Sequence, residues 1–192
     1  QNIKELAPVA VICATGANPI KPHFKGEYQD EMVCTFEDVL TNKVSFENKK
    51  IAVVGSGMTG LETAHALTEK GNKVTVVEMA KEIAPGTWMQ HKDDVLPKLK
   101  KAGTVFMTGE KLLEITNGSI STENVDTKAL TKVECDVVVL SLGSRPEKGI
   151  AKELTDAGMH AISIGDSVKI GRIADAVKDA YNAATKLIDT VI

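Results

Sequence analysis

An α/β fold built around a parallel sheet is what this sequence predicts, on three observations. The run Ile51-Ala-Val-Val54 is uniformly apolar, as a strand covered on both faces requires. It leads directly into Gly55-Ser56-Gly57-Met58-Thr59-Gly60, after which a helical stretch runs from about Met58 to Lys70 and meets Gly71, a residue suited to a C-terminal cap. A second β-branched run, Lys73-Val-Thr-Val-Val-Glu78, follows at once. The expected architecture is a parallel sheet with helices on both faces, to which an antiparallel β-meander is added.

The order strand, G-x-G-x-x-G, helix, strand makes the sheet Rossmann-like and its turn a dinucleotide site. Gly55 permits the tight turn, Gly57 lets the backbone approach a pyrophosphate, and Gly60 lets the helix pack close to the strand. The N–H groups of Ser56, Gly57, Met58 and Thr59, at the positive end of the helix, are the candidate phosphate donors. Glu78 lies 18 residues after Gly60, where an acceptor for a ribose hydroxyl is expected. A carboxylate there repels a 2′-phosphate, and Lys81 is the only near cation, so the expected cofactor is NADH rather than NADPH.

The remaining elements fall in order. Residues 8–14 form a strand ending at Thr15-Gly16, residues 17–31 a loop, and Thr35–Leu40 a short helix capped by Thr35. A helix over Met89–Ala102 stops at Gly103; Pro97 predicts that it either kinks or begins later, at Asp93 or Asp94. Val105–Thr108 is a third strand. Lys111–Thr116 and Ser119–Thr122 flank Asn117-Gly118, a strong hairpin signal, and about Lys128–Val133 completes the meander. Asp136–Leu142 is a buried strand ending at Gly143, a plausible point of backbone approach to a ligand. Ala161–Ile164 is a short strand closed by Gly165-Asp166. The final helix, Ile173–Leu187, places Ile173, Val177, Ala180, Ala184 and Leu187 on one face.

Composition narrows the function classes. A chain of 192 residues with 43% hydrophobic content buries a core, while a net charge of −3 and a pI near 5.9 give no basis for binding nucleic acid or an anionic membrane. No apolar run approaches bilayer length and no signal peptide is visible, so a cytoplasmic location is expected. Cys13, Cys34 and Cys135 stand far apart and read as small buried hydrophobes, not a redox pair; His23, His65, His91 and His160 lack metal-ligand spacing. A buried strand so near Gln1 suggests an excised piece of a longer polypeptide.

These motifs resemble the two-dinucleotide flavoproteins of the pyridine nucleotide-disulfide oxidoreductase superfamily, in which an NAD(P)H-binding domain is inserted into an FAD-binding domain. Cys13-Ala-Thr15-Gly16-Ala-Asn-Pro19 is similar to the A-T-G-x-x-P segment that closes the first FAD piece, Gly55 to Glu62 to the extended G-x-G-x-x-G-x-E, Leu142-Gly143-Ser-Arg-Pro146 to the exit from the inserted domain, and Ile164-Gly165-Asp166 to the G-D motif whose aspartate binds the FAD ribityl chain. Val77-Glu78-Met79 and the 171–184 segment look most like the C-terminal half of old yellow enzyme-type NADH:flavin oxidoreductases, the group of 2,4-dienoyl-CoA reductase and 2-enoate reductase. The resemblance implies residues 47–146 as the NAD(H) domain and residues 1–46 and 147–192 as remnants of a split FAD lobe. Thr15, Gly16, Gly165 and Asp166 would then serve FAD, and Glu62 would lie near the nicotinamide. It further implies hydride transfer from NADH to FAD and reduction of an activated alkene (an enoate or dienoyl-CoA) in a parent that also carries an N-terminal barrel with FMN and an iron–sulfur cluster. No side chain is singled out as a general acid or base.

The chain departs from the pattern in having a single G-x-G-x-x-G, no acid just before A-T-G, and no dithiol. Two other readings stay open: a free-standing NADH-binding module and a fragment of a disulfide-type reductase. With strands 9–14 and 161–164 lacking their usual neighbours, exposed apolar edges are expected, and with them either a homodimer of the piece or a locally disordered tail.

Overall fold

The computed structural model describes residues 3–191. Along the chain the elements run β1 (Val11–Cys13), β2 (Ala17–Pro19), β3 (Val33–Thr35), α1 (Phe36–Leu40), β4 (Lys50–Val54), α2 (Met58–Glu69), β5 (Lys73–Glu78), α3 (Met89–Lys101), β6 (Val105–Thr108), β7 (Glu110–Thr116), β8 (Ser119–Asn124), β9 (Leu130–Glu134), β10 (Val137–Leu140), β11 (Ser144–Pro146), α4 (Gly149–Asp156), β12 (Ala161–Ser163) and α5 (Ile173–Val191). The described residues divide into two compact units, residues 19–143 and residues 3–18 with 144–191.

The larger unit carries a five-stranded, all-parallel sheet in the order β3-β10-β4-β5-β6. Period-two alternation splits each strand between two cores. Ile51, Val53, Val74, Val76, Val137 and Val139 point to one face, against Leu61, Ala64 and Leu67 of α2, Val95 and Leu99 of α3, and Val39 of α1. Ala52, Val54, Val77, Val138 and Leu140 point to the other, against Leu112, Ile115 and Ile120 of the antiparallel sheet β7-β8-β9. This explains why the parallel strands read as continuous apolar runs. It also corrects one expectation: in this unit helices cover only one face, and the meander occupies the other. The meander supplies an apolar face of its own, formed around the Asn117-Gly118 turn, and that face seals the sheet as a helix layer would.

Strand β3 joins the sheet edge through Val33, Cys34 and Thr35, opposite Val138, Val139 and Leu140; the loop reading of 17–31 likewise omitted β2, which pairs with β11. Helix α3 begins at Met89 and continues through Pro97, so the later start at Asp93 or Asp94 is not what the chain adopts. Gly71, at φ +76°, terminates α2 as expected. Beside it, buried Asn72 accepts from Lys49 N (3.0 Å) and donates to Phe46 O (2.7 Å) and Leu67 O (2.9 Å), tying the end of α2 to the start of β4.

Thr35 caps α1 in a reciprocal capping box with Asp38. The Asp38 carboxylate accepts from Thr35 N (2.9 Å) and Thr35 Oγ1 (2.8 Å) and pairs with Lys43 Nζ (3.0 Å). The Thr35 backbone N–H foremost, with Lys43 and the Thr35 hydroxyl, lowers the Asp38 carboxyl from its ordinary 3.8 to about 2. A depressed folded-state value adds stability above the ordinary value and loses it as pH falls toward the folded one. Urea midpoints of wild type and Asp38→Asn should therefore differ at pH 6 and converge between pH 4 and 2; a gap that persists at pH 2 would contradict the capping role.

The smaller unit pairs β1 with β12 in parallel (Val11 with Ala161, Cys13 with Ser163). Val9 and Ile12 are exposed there. In α5 the inward face differs from the expected one. Ala183 is buried and Ala176, Ala180 and Leu187 half-buried, whereas Ile173, Val177 and Ala184 are exposed. The 165–167 turn sets this rotation: Gly165 packs against Ala176 and donates its N–H to Asp179 Oδ2 (3.2 Å). The exposed Ile173, Val177, Tyr181 and Ile188 form a second apolar stripe.

Candidate functional site

Strand order reverses at β4, with β5 on one side and β10 on the other, and open α/β sheets bind ligands outside the carboxyl ends of strands at such a point. The glycine turn occupies that position. Gly55, at φ +102°, donates to Val77 O (2.8 Å), and a Cβ there would overlap the Ser141 carbonyl of the segment after β10. A Cβ on Gly60 would overlap the Gly55 carbonyl. Both glycines are thus required by packing. Gly57 is different: its φ of −55° suits any residue and no atom lies within 4 Å of its Cβ position. Packing does not require a glycine here, although the N-cap position that it occupies favours one.

Gly57 is the N-cap of α2, without a side-chain cap, and Leu61 N makes the first bond back to Gly57 O (3.1 Å). The N–H groups of Met58, Thr59 and Gly60 therefore have no helical partner and face outward at the positive end of the helix. Ser56 is arranged otherwise. Fully buried, it donates through N and Oγ to Glu78 Oε2 (both 2.8 Å), and its Oγ accepts from Ala84 N (2.9 Å). Glu78 Oε1 accepts from Ala80 N (2.7 Å). Glu78 therefore clamps the glycine turn to the end of β5, an interaction the sequence did not reveal. Of the four predicted phosphate donors, the Ser56 amide is already engaged; the Gly57, Met58 and Thr59 amides remain. A carboxylate offers about four acceptor sites, so three internal donors leave capacity at Oε1 for a ribose hydroxyl.

Gly55, Gly57 and Glu78 line a crevice of about 360 Å³. Its other walls include Phe24, Glu110, Lys111 and Leu142. Sequence reasoning passed over Phe24, Glu110 and Lys111 because they come from the 20–29 strap and from β7, remote from the motif. Phe24 is set in place by pairing of the strap with β7, where Ile115 N donates to Lys25 O (2.9 Å), and by Phe24 N donating to Tyr28 Oη (3.3 Å). Gly143, at φ +85°, follows β10 and accepts from Ile20 N (2.9 Å); Glu62 is exposed on α2 and does not line the crevice.

In the smaller unit, Gly16, Gly165 and Asp166 line one hollow of about 340 Å³ together with Arg172 and Ile173. Asp166 Oδ1 accepts from Gly171 N (3.0 Å). Thr15 lies beside the hollow, its hydroxyl donating to Glu147 O (2.8 Å). The three cysteines are buried and free, and burial pushes the Cys34 and Cys135 thiols up to about 12. Among the described residues no group of three His, Cys, Asp or Glu side chains is placed to hold a metal ion, and no helix is long and apolar enough to cross a membrane.

A family model described as pyridine nucleotide-disulphide oxidoreductase matches residues 2–167. The chain belongs to the pyridine nucleotide-disulphide oxidoreductase family. An NADH oxidase of Thermoanaerobacter brockii is 35% identical over 190 residues, 97% of this chain and 29% of the relative. A cinnamate reductase of Clostridium sporogenes is 29% identical over 198 residues, 97% of this chain and 28% of the relative. Among solved structures, 2-naphthoyl-CoA reductase in complex with 2-naphthoyl-CoA superposes with a TM-score of 0.83 at 25% identity, over 93% of this chain and 27% of that one. Thioredoxin reductase of T. acidophilum shares the fold, with a TM-score of 0.74 at 21% identity over 95% of this chain and 66% of that one. The chain spans less than a third of the length of the first curated relatives it matches. Membership of the pyridine nucleotide-disulphide oxidoreductases implies FAD and NAD(P)H as cofactors. Both hollows offer what such groups need: uncapped amides with an open glycine and an acceptor carboxylate in one, and an aspartate between glycine turns in the other.

Proposed function

We propose that the 19–143 unit binds NADH and that the smaller unit belongs to the FAD lobe of an oxidoreductase whose final acceptor is an activated alkene. The open space over Gly57, beside uncapped amides at the strand-order reversal, carries the nucleotide reading. When bound, the nicotinamide supplies a hydride and FAD accepts it. The chain's own residues bind and orient. The Gly57, Met58 and Thr59 amides would hold the pyrophosphate, and Glu78, fixed by Ser56 and Ala80, would accept from the adenosine ribose. Phe24 and Leu142 give the crevice apolar walls; Gly143 does not itself line it, but it follows Leu142 with open space at its Cβ position and would let a ligand extend along the backbone there. In the smaller unit Asp166 would accept from ribityl hydroxyls, with Thr15, Gly16 and Gly165 shaping the turns around it.

The alkene acceptor draws support from the names of two relatives, cinnamate reductase and 2-naphthoyl-CoA reductase. FMN, an iron–sulfur cluster and a barrel domain belong to this reading as parts of the whole protein, as does completion of the FAD lobe. Fluorescence titration of the purified chain tests the nucleotide step. NADH should bind at least about tenfold tighter than NADPH, because Glu78 sets a carboxylate beside the 2′ position. Equal or tighter binding of NADPH would refute the NADH assignment.

A further inference from the structure

We propose that Asp126 is a specificity-determining residue: by holding Lys81 in an ion pair, it keeps that cation from serving a 2′-phosphate and biases the crevice toward the unphosphorylated dinucleotide. The inference rests on the assignment of the crevice to a nicotinamide dinucleotide and names a second element of its selectivity, on the meander instead of the parallel sheet.

Lys81 stands three residues beyond Glu78, the stretch from which an NADPH site recruits its phosphate-binding cation. Its Nζ lies 2.9 Å from Asp126 Oδ2, on the turn between β8 and β9. Backbone bonds register the two segments: Gly109 N donates to Ala80 O (2.8 Å), and Val125 N donates to Gly109 O (2.7 Å). The turn itself is fixed from the crevice side. Glu110, a buried wall residue, accepts from Thr122 Oγ1 (2.6 Å) and Asn124 Nδ2 (3.1 Å). Asn124 Oδ1 in turn accepts from Asp126 N (3.2 Å) and Thr127 N (3.1 Å). The chain of bonds from Glu110 through Asn124 thus sets the backbone that carries Asp126 beside Lys81.

Both partners of the pair are exposed, so it adds little to stability. Its consequence is electrostatic and selective. A 2′-phosphate arriving near Glu78 would meet the Glu78 carboxylate and a cation already neutralised by Asp126. NADH, with a hydroxyl at that position, is indifferent to Lys81. Lys111 also lines the crevice and can attract the phosphates common to both dinucleotides, so the test has to isolate Lys81.

The experiment is a comparison of NADH and NADPH dissociation constants at low salt for wild type, Asp126→Asn, Lys81→Ala and the double variant. Asp126→Asn should tighten NADPH by roughly three- to fivefold, the scale of one exposed charge pair, and leave NADH within about twofold. Adding Lys81→Ala should remove the gain. An unchanged NADPH:NADH ratio in Asp126→Asn, or a gain that survives Lys81→Ala, overturns the proposal. Binding of NADH by every variant shows that the crevice is intact. A wild-type chain that binds neither dinucleotide instead overturns the nucleotide assignment, and this inference with it.

Discussion

Gly57→Val is expected to cut NADH affinity by about 100-fold or more while the chain stays folded. A branched side chain at this position would stand between the pyrophosphate and the Gly57, Met58 and Thr59 amides. Losing two hydrogen bonds to a charged group, at roughly 1.5–3 kcal/mol each, is enough for that factor. The cost to the fold is small. Position 57 has φ −55° and no neighbour within 4 Å of its Cβ, so the substitution meets no clash. It gives up only a favourable N-cap glycine, about 1 kcal/mol or some 2–4 °C in melting temperature. A NADH titration and a thermal melt on the same sample check both halves. Undiminished NADH affinity would show that the space over Gly57 is not where the diphosphate lies.

Gly60→Val, three residues on, should fail in the opposite way. Its Cβ would overlap the Gly55 carbonyl and come within 3.2 Å of Ser141 Oγ. The turn has little room to move. Gly55 N is bonded to Val77 O, and Gly55 itself is pressed against the Ser141 carbonyl. Relief therefore requires α2 to lift from β4, exposing Leu61, Ala64 and Leu67, all of which are buried against the sheet. A loss of about 3 kcal/mol or more is expected, a fall of roughly 6–12 °C in melting temperature. A melt unchanged from wild type would refute the close contact of helix and strand. The pair of variants thus separates two reasons for glycine inside one motif, a ligand at Gly57 and packing at Gly60.

Much of this was legible in the sequence because it is local. The apolar run 51–54, the glycine spacing and the run 73–78 each report a neighbour within a few residues, and β4, α2 and β5 form where those patterns place them. The Asn117-Gly118 turn likewise fixes the β7–β8 hairpin. What was not legible depends on long-range contact. Strand β3 is three residues long and shows no period of its own; it is a strand because Val138, Val139 and Leu140 lie beside it. Nothing in the run ending at Glu78 indicates that its carboxylate will grip Ser56, 22 residues earlier, and so secure the turn it was expected only to accompany. The inward face of α5 was rotated for the same reason, since the contact of Ala176 with Gly165 decides it. In the candidate site, the motif residues were found and the walls were not: Phe24, Glu110 and Lys111 reach the crevice only through tertiary pairing.

A crystal structure of the chain grown with saturating NADH bears most directly on the nucleotide site. The expected density places the diphosphate against the backbone N–H groups of Gly57, Met58 and Thr59, with a hydroxyl of the adenosine ribose within hydrogen-bond distance of Glu78 Oε1. An empty crevice, or a dinucleotide bound elsewhere on the chain, would contradict it.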